Sequence, residues 1–78
     1  MINKGDLFQG VASIKGHGHP FIEIIRTYNK RDIDPDCPES VAIVGMVEAV
    51  MLSGPDIGKT KSYHRRGFNR LFLRVEEV

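Results

Sequence analysis

One stretch of the sequence decides the fold: Val41-Ala42-Ile43-Val44-Gly45-Met46-Val47-Glu48-Ala49-Val50-Met51-Leu52. Ten of its twelve residues are apolar and five are β-branched, a composition that favours a strand over a helix. Twelve extended residues span roughly 40 Å at about 3.3 Å each, so we expect a long central strand at 41–52, bent at Gly45. A helix over 38–52 stays open, because Pro38 precedes the stretch and Gly54-Pro55 follows it, as at many helix ends.

The remaining segments surround this stretch with short apolar runs and loops. Strands are expected at 7–14, 21–28 and 60–64, loops at 15–20 and 29–39, and a tight turn at 67–70. Residues 71–78 fit a helix or a strand. The resulting order is two strands, a long bent strand, a short strand, a one-turn helix and a last strand. It predicts a mostly β fold, a small SH3-like (or OB-like) five-stranded barrel with a long bent central strand. The alternative is an α+β fold, a ββα unit with the helix at 38–52.

Length and composition indicate one small globular domain over residues 1–78. The single cysteine, Cys37, leaves no intrachain disulfide, which is typical of a reducing compartment. Residues 1–10 have no apolar signal-peptide core, and the central stretch is too short to cross a bilayer, which needs about 20 apolar residues. We therefore expect a cytoplasmic protein without a membrane partner. A stretch that is apolar on both faces predicts a homodimer.

Positive charge is concentrated in the last third of the chain. The net charge is +1, yet residues 57–75 hold six lysines and arginines and no acid. Basic side chains bind phosphates, and exposed aromatic rings stack on bases. The predicted residues for binding nucleic acid or another partner are Lys59, Lys61, Tyr63, His64, Arg65, Arg66, Phe68 and Arg70. Alternatively, Tyr63 and Phe68 are core residues, and the cations form a solvated face or pair with the acids of 32–39.

Several motifs resemble chemical sites without completing them. Gly58-Lys59-Thr60 ends like a phosphate-binding loop, but position 53 is serine where that motif needs glycine. His17 and His19 could share a metal only with scattered partners. The acidic segment 32–36 lacks the glycine and glutamate of a calcium loop. We therefore expect no cofactor, no metal site and no catalytic residue, and an enzyme is the less favoured interpretation.

Two short segments resemble the start of the MazF/PemK-type toxin barrels. These are Lys4-Gly5-Asp6-Leu7 and Lys15-Gly16-His17-Gly18-His19-Pro20-Phe21-Ile22. The resemblance implies an SH3-like barrel, a homodimer and cleavage of single-stranded RNA. His19-Pro20 stands where that family has an arginine-proline pair.

Three functions follow from these observations. The first is a small non-enzymatic binding module that presents the basic segment 59–74 to an anionic partner, first of all nucleic acid. The second is a protein–protein interaction module, such as a small inhibitor or accessory protein from a mobile genetic element. The third is a MazF/PemK-like endoribonuclease.

Overall fold

The fold is mostly β, a single antiparallel sheet with one short helix. A computed structural model describes residues 1–75. Its elements are β1 (Leu7–Gly10), β2 (Phe21–Asp34), β3 (Cys37–Met51), β4 (Thr60–His64), α1 (Arg65–Leu71) and β5 (Phe72–Arg74). The strand predicted at 41–52 is confirmed, because β3 pairs with β2 on one side and β4 on the other. The helix predicted as its alternative is wrong.

The sheet has the order β4-β3-β2-β1-β5 and is not closed. β4 and β5 lie at opposite ends of it, joined in sequence by α1. The predicted succession of two strands, a long strand, a short strand, a helix and a last strand is confirmed. The closed barrel is not confirmed by this sheet.

The core lies on one face of the sheet, beneath α1. Phe68 of α1 is fully buried there, with Ile22 and Ile24 of β2 and Val47 of β3. Phe8 and Phe72 complete an aromatic group around Phe68, whose ring centroid lies 4.9 Å from each of theirs. The burial of these side chains supplies most of the driving force for folding.

β2 and β3 extend well beyond their other partners. β1 pairs with β2 only as far as Glu23, and β4 pairs with β3 only from Val50 back to Met46. The remaining hairpin, residues 29–45, is a two-stranded ribbon that we call the arm. The arm gives the molecule an elongated shape, 46 × 26 × 21 Å.

The loop predicted at 29–39 is wrong, because only Pro35 and Asp36 form the turn between β2 and β3. The Asp34 side chain accepts a hydrogen bond from the Asp36 N–H at 2.9 Å, a local bond that favours turns. The prolines and aspartates of this segment belong to a tight turn and to the irregularly paired residues next to it. Residues 38–40 have no partner in β2, since Ile33 pairs with Val41 and Asp34 with Cys37.

The two faces of the arm differ in character. Paired residues of an antiparallel ribbon share a face, and that face repeats every second residue. Val47 is in the core, so Gly45, Ile43 and Val41 continue the core face outward along β3. Their β2 partners are Asn29, Arg31 and Ile33. The pairing passes Gly45 without a register shift, and the bend expected there stays a prediction.

The C-terminal part combines both predicted alternatives. The turn expected at 67–70 is wrong, because these residues belong to α1. Residues 72–74 then form β5, paired with β1, while residues 76–78 lie outside the described residues. None of the helices within 1–75 is long and apolar enough to cross a membrane.

Candidate functional site

The two lysines of the basic segment are paired with an acid. Lys61 Nζ lies 2.8 Å from Asp56 Oδ2, and Lys59 Nζ lies 3.7 Å from Asp56 Oδ1. The hydrogen bond from Lys61 lowers the pKa of Asp56, and the same bond raises the pKa of Lys61. Asp56 thus partly neutralises the positive charge of these two lysines.

Arg74 is paired as well, at the other end of the sheet. Its Nη1 lies 2.9 Å from Asp6 Oδ2, and its guanidinium lies 5.0 Å from the centre of the Phe8 ring. A hydrogen bond from the Asn3 backbone, followed by the contact with Arg74, lowers the pKa of Asp6. Arg74 therefore fixes the N-terminal segment against β5.

The remaining three cations of the basic segment share one side of α1. At about 100° per residue, Arg65, Asn69, Arg66 and Arg70 follow one another over an arc of about 140° around the helix axis. All four are exposed, while Phe68 points into the core on the other side. None of the ion pairs formed within residues 1–75 includes these arginines. We call these four residues the arginine face.

The arginine face adjoins the base of the arm. A Cβ built on Gly45 would lie 3.5 Å from Arg65 Cβ and 3.7 Å from Arg65 Cζ, so the Arg65 side chain lies over this glycine. A groove at this junction is lined by Asn29, Ala42, Ile43, Val44, Gly45, His64, Arg65 and Arg66. Arg31 pairs with Ile43 on the same face of the ribbon, which adds a cation to the side that carries Arg65.

The two aromatic residues of the predicted site belong to the core. Phe68 is fully buried, so its ring is not available for stacking on a base. Tyr63 is half-buried, with its ring centroid 5.0 Å from that of Phe72 and 6.0 Å from that of Phe68. Burial raises the pKa of Tyr63 above its ordinary value. The candidate surface is therefore cationic, with its aromatic residues mostly beneath it.

The histidines and the cysteine differ in their surroundings. The His19 Nδ1–H donates to the Gly10 carbonyl at 3.0 Å, because a carbonyl oxygen only accepts. His17 is exposed between Gly16 and Gly18, whose φ angles are +82° and +70°. Cys37 is exposed near the tip of the arm. The residues described bring together no group of three His, Cys, Asp or Glu suited to a metal.

Comparisons with protein-family models, with curated proteins and with solved structures found no match to this chain.

Sequence reasoning missed the contribution of the arm. Ile33, Val41 and Ile43 are 56%, 48% and 64% exposed, and the register places all three on one face. The first half of the central stretch projects from the body of the molecule, a position that was not predicted from the sequence. The charged run that begins at Lys30-Arg31 was a signal for this, because strands that are covered on both sides rarely carry such runs.

Proposed function

We propose that this protein is a small non-enzymatic binding module whose arginine face binds an anionic partner, in the first place nucleic acid. The observation that carries the proposal is the set of three exposed arginines on one side of α1, without ion pairs among residues 1–75. Arginine donates to phosphate oxygens with a planar fork and keeps its charge.

The mode of binding follows from what surrounds these arginines. Phe68 is buried and Tyr63 half-buried, so contacts are made to phosphates and not by base stacking. Phosphate contacts carry no sequence information directly. We therefore expect sequence-independent binding that is weak at physiological salt, with a dissociation constant of about 10⁻⁴–10⁻⁶ M. His64 and Arg31 lie next to the arginine face and would contribute at its margin.

The scaffold for this surface is proposed to be a partly rolled relative of the SH3-like (or OB-like) barrel. The order of strands and helix along the chain supports this.

The test compares two sets of substitutions in the same assay. Fluorescence anisotropy follows a labelled single strand and a labelled duplex at low salt. Substitution of Arg65, Arg66 and Arg70 together by glutamine is expected to abolish binding. The control replaces Lys59 and Lys61 by glutamine, and because Asp56 already pairs with both, we expect a smaller loss. Equal losses in the two variants, or no binding by the unaltered protein, would contradict the proposal.

A protein–protein interaction module is the second candidate, and the arm favours it. Exposed apolar side chains on one face of an uncovered ribbon are typical of surfaces that bind another protein. Capture from a nuclease-treated lysate separates the candidates. A partner that is retained after nuclease treatment and lost on Ile43→Asp supports this candidate, and loss of every partner with nuclease counts against it.

A further inference from the structure

The arm lacks the support that orders the rest of the sheet. An isolated two-stranded hairpin is marginally stable at best in water. Within residues 1–75, the part of β2 and β3 that lies between Met46 and the turn at 35–36 pairs only with itself. The residues of this part from 29 to 43 are exposed. The apolar strip Ile33, Val41 and Ile43 is therefore a surface that another molecule would stabilise by covering.

The charges of the arm have a definite polarity. On the face of the apolar strip the base carries Arg31, with Arg65 and Arg66 of α1 beside it, while Lys30 lies on the opposite face. The outer part, which we call the acidic tip, carries Asp36 in the turn and Glu39 in the irregular segment of β3. Asp32 and Asp34 precede it on the face opposite the apolar strip. None of the ion pairs within residues 1–75 involves a charge of the arm. The arm thus has a cationic end and an anionic end, about 20 Å apart at about 3.3 Å per residue.

We propose that the arm of one copy packs face to face and antiparallel against the arm of a second copy. In this arrangement the apolar strips of the two copies cover each other around a two-fold axis. Each acidic tip then lies against the Arg65 and Arg66 side chains of the other copy. The two-fold axis makes both halves of the interface identical, as in most homodimers.

Charge selects the antiparallel arrangement. Parallel packing would place two acidic tips together, and like charges in contact are unfavourable. Antiparallel packing instead brings each tip to a cationic base. A second copy is the simplest partner that offers an apolar strip, a cationic end and an anionic end with this spacing.

Contact between faces is favoured over pairing along the strand edge. The β3 edge is open from Val41 to Gly45, because β4 reaches only Met46. Residues 38–40 interrupt the regular ribbon next to it, and Pro38 has no N–H to donate. Such irregularities are typical of edges that are protected against pairing.

The interface is small, so the dimer is expected to be weak. Standard protein interfaces bury about 800 Å² per partner, and a strip with three apolar side chains covers less. Sedimentation should therefore span protein concentrations from about 10 µM to about 1 mM. The sample is freed of nucleic acid beforehand, so that association through a bound strand does not contribute.

The chain offers a matched pair of substitutions. Ile43 is 64% exposed on the arm, and Ile57 is 66% exposed in the loop between β3 and β4. Ile43→Asp is expected to raise the dimer dissociation constant at least about tenfold, whereas Ile57→Asp leaves it unchanged. A protein that stays monomeric over the whole range, or equal effects of both substitutions, would overturn the proposal.

A second measurement reports how the two arms are oriented in the dimer, and it does not require that the Ile43→Asp variant folds. Cys37 near the acidic tip is the single natural cysteine, and Asn69→Cys adds one on the arginine face without removing a charge. A short thiol cross-linker should join Cys37 of one copy to the cysteine at position 69 of the other. A mixture of isotopically labelled and unlabelled protein shows which cross-links connect two different copies. Links only between two Cys37 residues, or only within one chain, would overturn the antiparallel arrangement.

This inference goes beyond the proposed function but shares Arg65 and Arg66 with it. The two can fail separately. Ile33→Ser changes the apolar strip outside the groove beside Arg65 and Arg66 and alters no charge, so a monomeric Ile33→Ser variant still binds nucleic acid if the proposed function is correct. Conversely, a dimer that binds no oligonucleotide at low salt refutes the proposed function and leaves the arm interface intact.

Discussion

Replacing Phe68 distinguishes a core role from a binding role for this residue. Phe68 is fully buried, and its ring contacts those of Phe8, Phe72 and Tyr63 at centroid distances of 4.9, 4.9 and 6.0 Å. Truncation of a buried phenylalanine to alanine costs about 3–5 kcal/mol, since the lost transfer free energy adds to the cost of the cavity. At about 0.05–0.15 kcal/mol per residue, the whole domain has a free energy of unfolding of about 4–12 kcal/mol. Phe68→Ala therefore removes a large part of the stability.

Phe68→Leu is the variant to carry into functional work. Leucine keeps much of the buried apolar volume and loses the ring contacts, so we expect a loss of about 2 kcal/mol. Urea unfolding followed by far-UV circular dichroism measures both variants. Leu71→Ala is the control on the same helix, because Leu71 is 51% exposed and its loss should cost less than about 1 kcal/mol.

The same variant tests whether the ring stacks on a base. Because the Phe68 ring lies in the core, folded Phe68→Leu should bind oligonucleotides as tightly as the unaltered protein. A Phe68→Ala variant within about 1 kcal/mol of the unaltered protein, or a folded Phe68→Leu variant that no longer binds, would refute this reasoning.

Three further predictions concern pH and packing. The hydrogen bond from Lys61 is the main reason why the pKa of Asp56 is lowered in the folded protein. The stability that ionised Asp56 contributes is therefore fully present above the unfolded pKa of about 3.9, and it is lost as the pH falls through the lower folded pKa. The difference in the free energy of unfolding between the unaltered protein and Asp56→Asn, measured with urea, should therefore vanish in acid. A difference that does not depend on pH would contradict this. The pKa of Tyr63 is raised by burial, so stability should fall above pH 10 as the unfolded chain ionises first; Tyr63→Phe should show a smaller alkaline decline, and equal declines would exclude this cause. A Cβ at Gly10 would lie 2.8 Å from Pro20 Cγ and 2.9 Å from its Cδ, whereas one at Gly67 meets nothing within 4 Å. In the same urea assay, Gly10→Ala should lower the free energy of unfolding by about 1–3 kcal/mol, and Gly67→Ala should not lower it. If Gly10→Ala is as stable as the unaltered protein, the Pro20 ring moves aside without cost and the prediction is wrong.

Local composition was sufficient to predict most elements of the fold. The β-branched stretch around Val47 is a strand, and β4 begins and ends at the predicted residues, Thr60 and His64. The extent of the long hairpin was not predictable in the same way. Pro35 and Pro38 are typical of loops, yet one lies in a two-residue turn and the other in an irregular part of β3. Cross-strand pairing, which a local pattern does not contain, decided the structure of this segment.

The candidate site was predictable as a segment but not as a surface. Charge counts identified the basic segment, but they could not show that Asp56 pairs with Lys59 and Lys61. Helical periodicity places the arginines together only once α1 is known to begin at Arg65. The apolar strip needed the register of β2 and β3, because a shift by one residue moves every side chain to the other face.

The salt dependence of nucleic-acid binding tests the central claim most directly. For a single strand, the logarithm of the binding constant falls against the logarithm of the salt concentration with a slope of about −0.7 per phosphate contact. Contacts from Arg65, Arg66 and Arg70 therefore predict a slope of about −2 between about 20 and about 200 mM salt. Each single Arg→Gln substitution should make the slope shallower by about 0.7. A slope near zero, or one that the three substitutions leave unchanged, would contradict the assignment of binding to the arginine face.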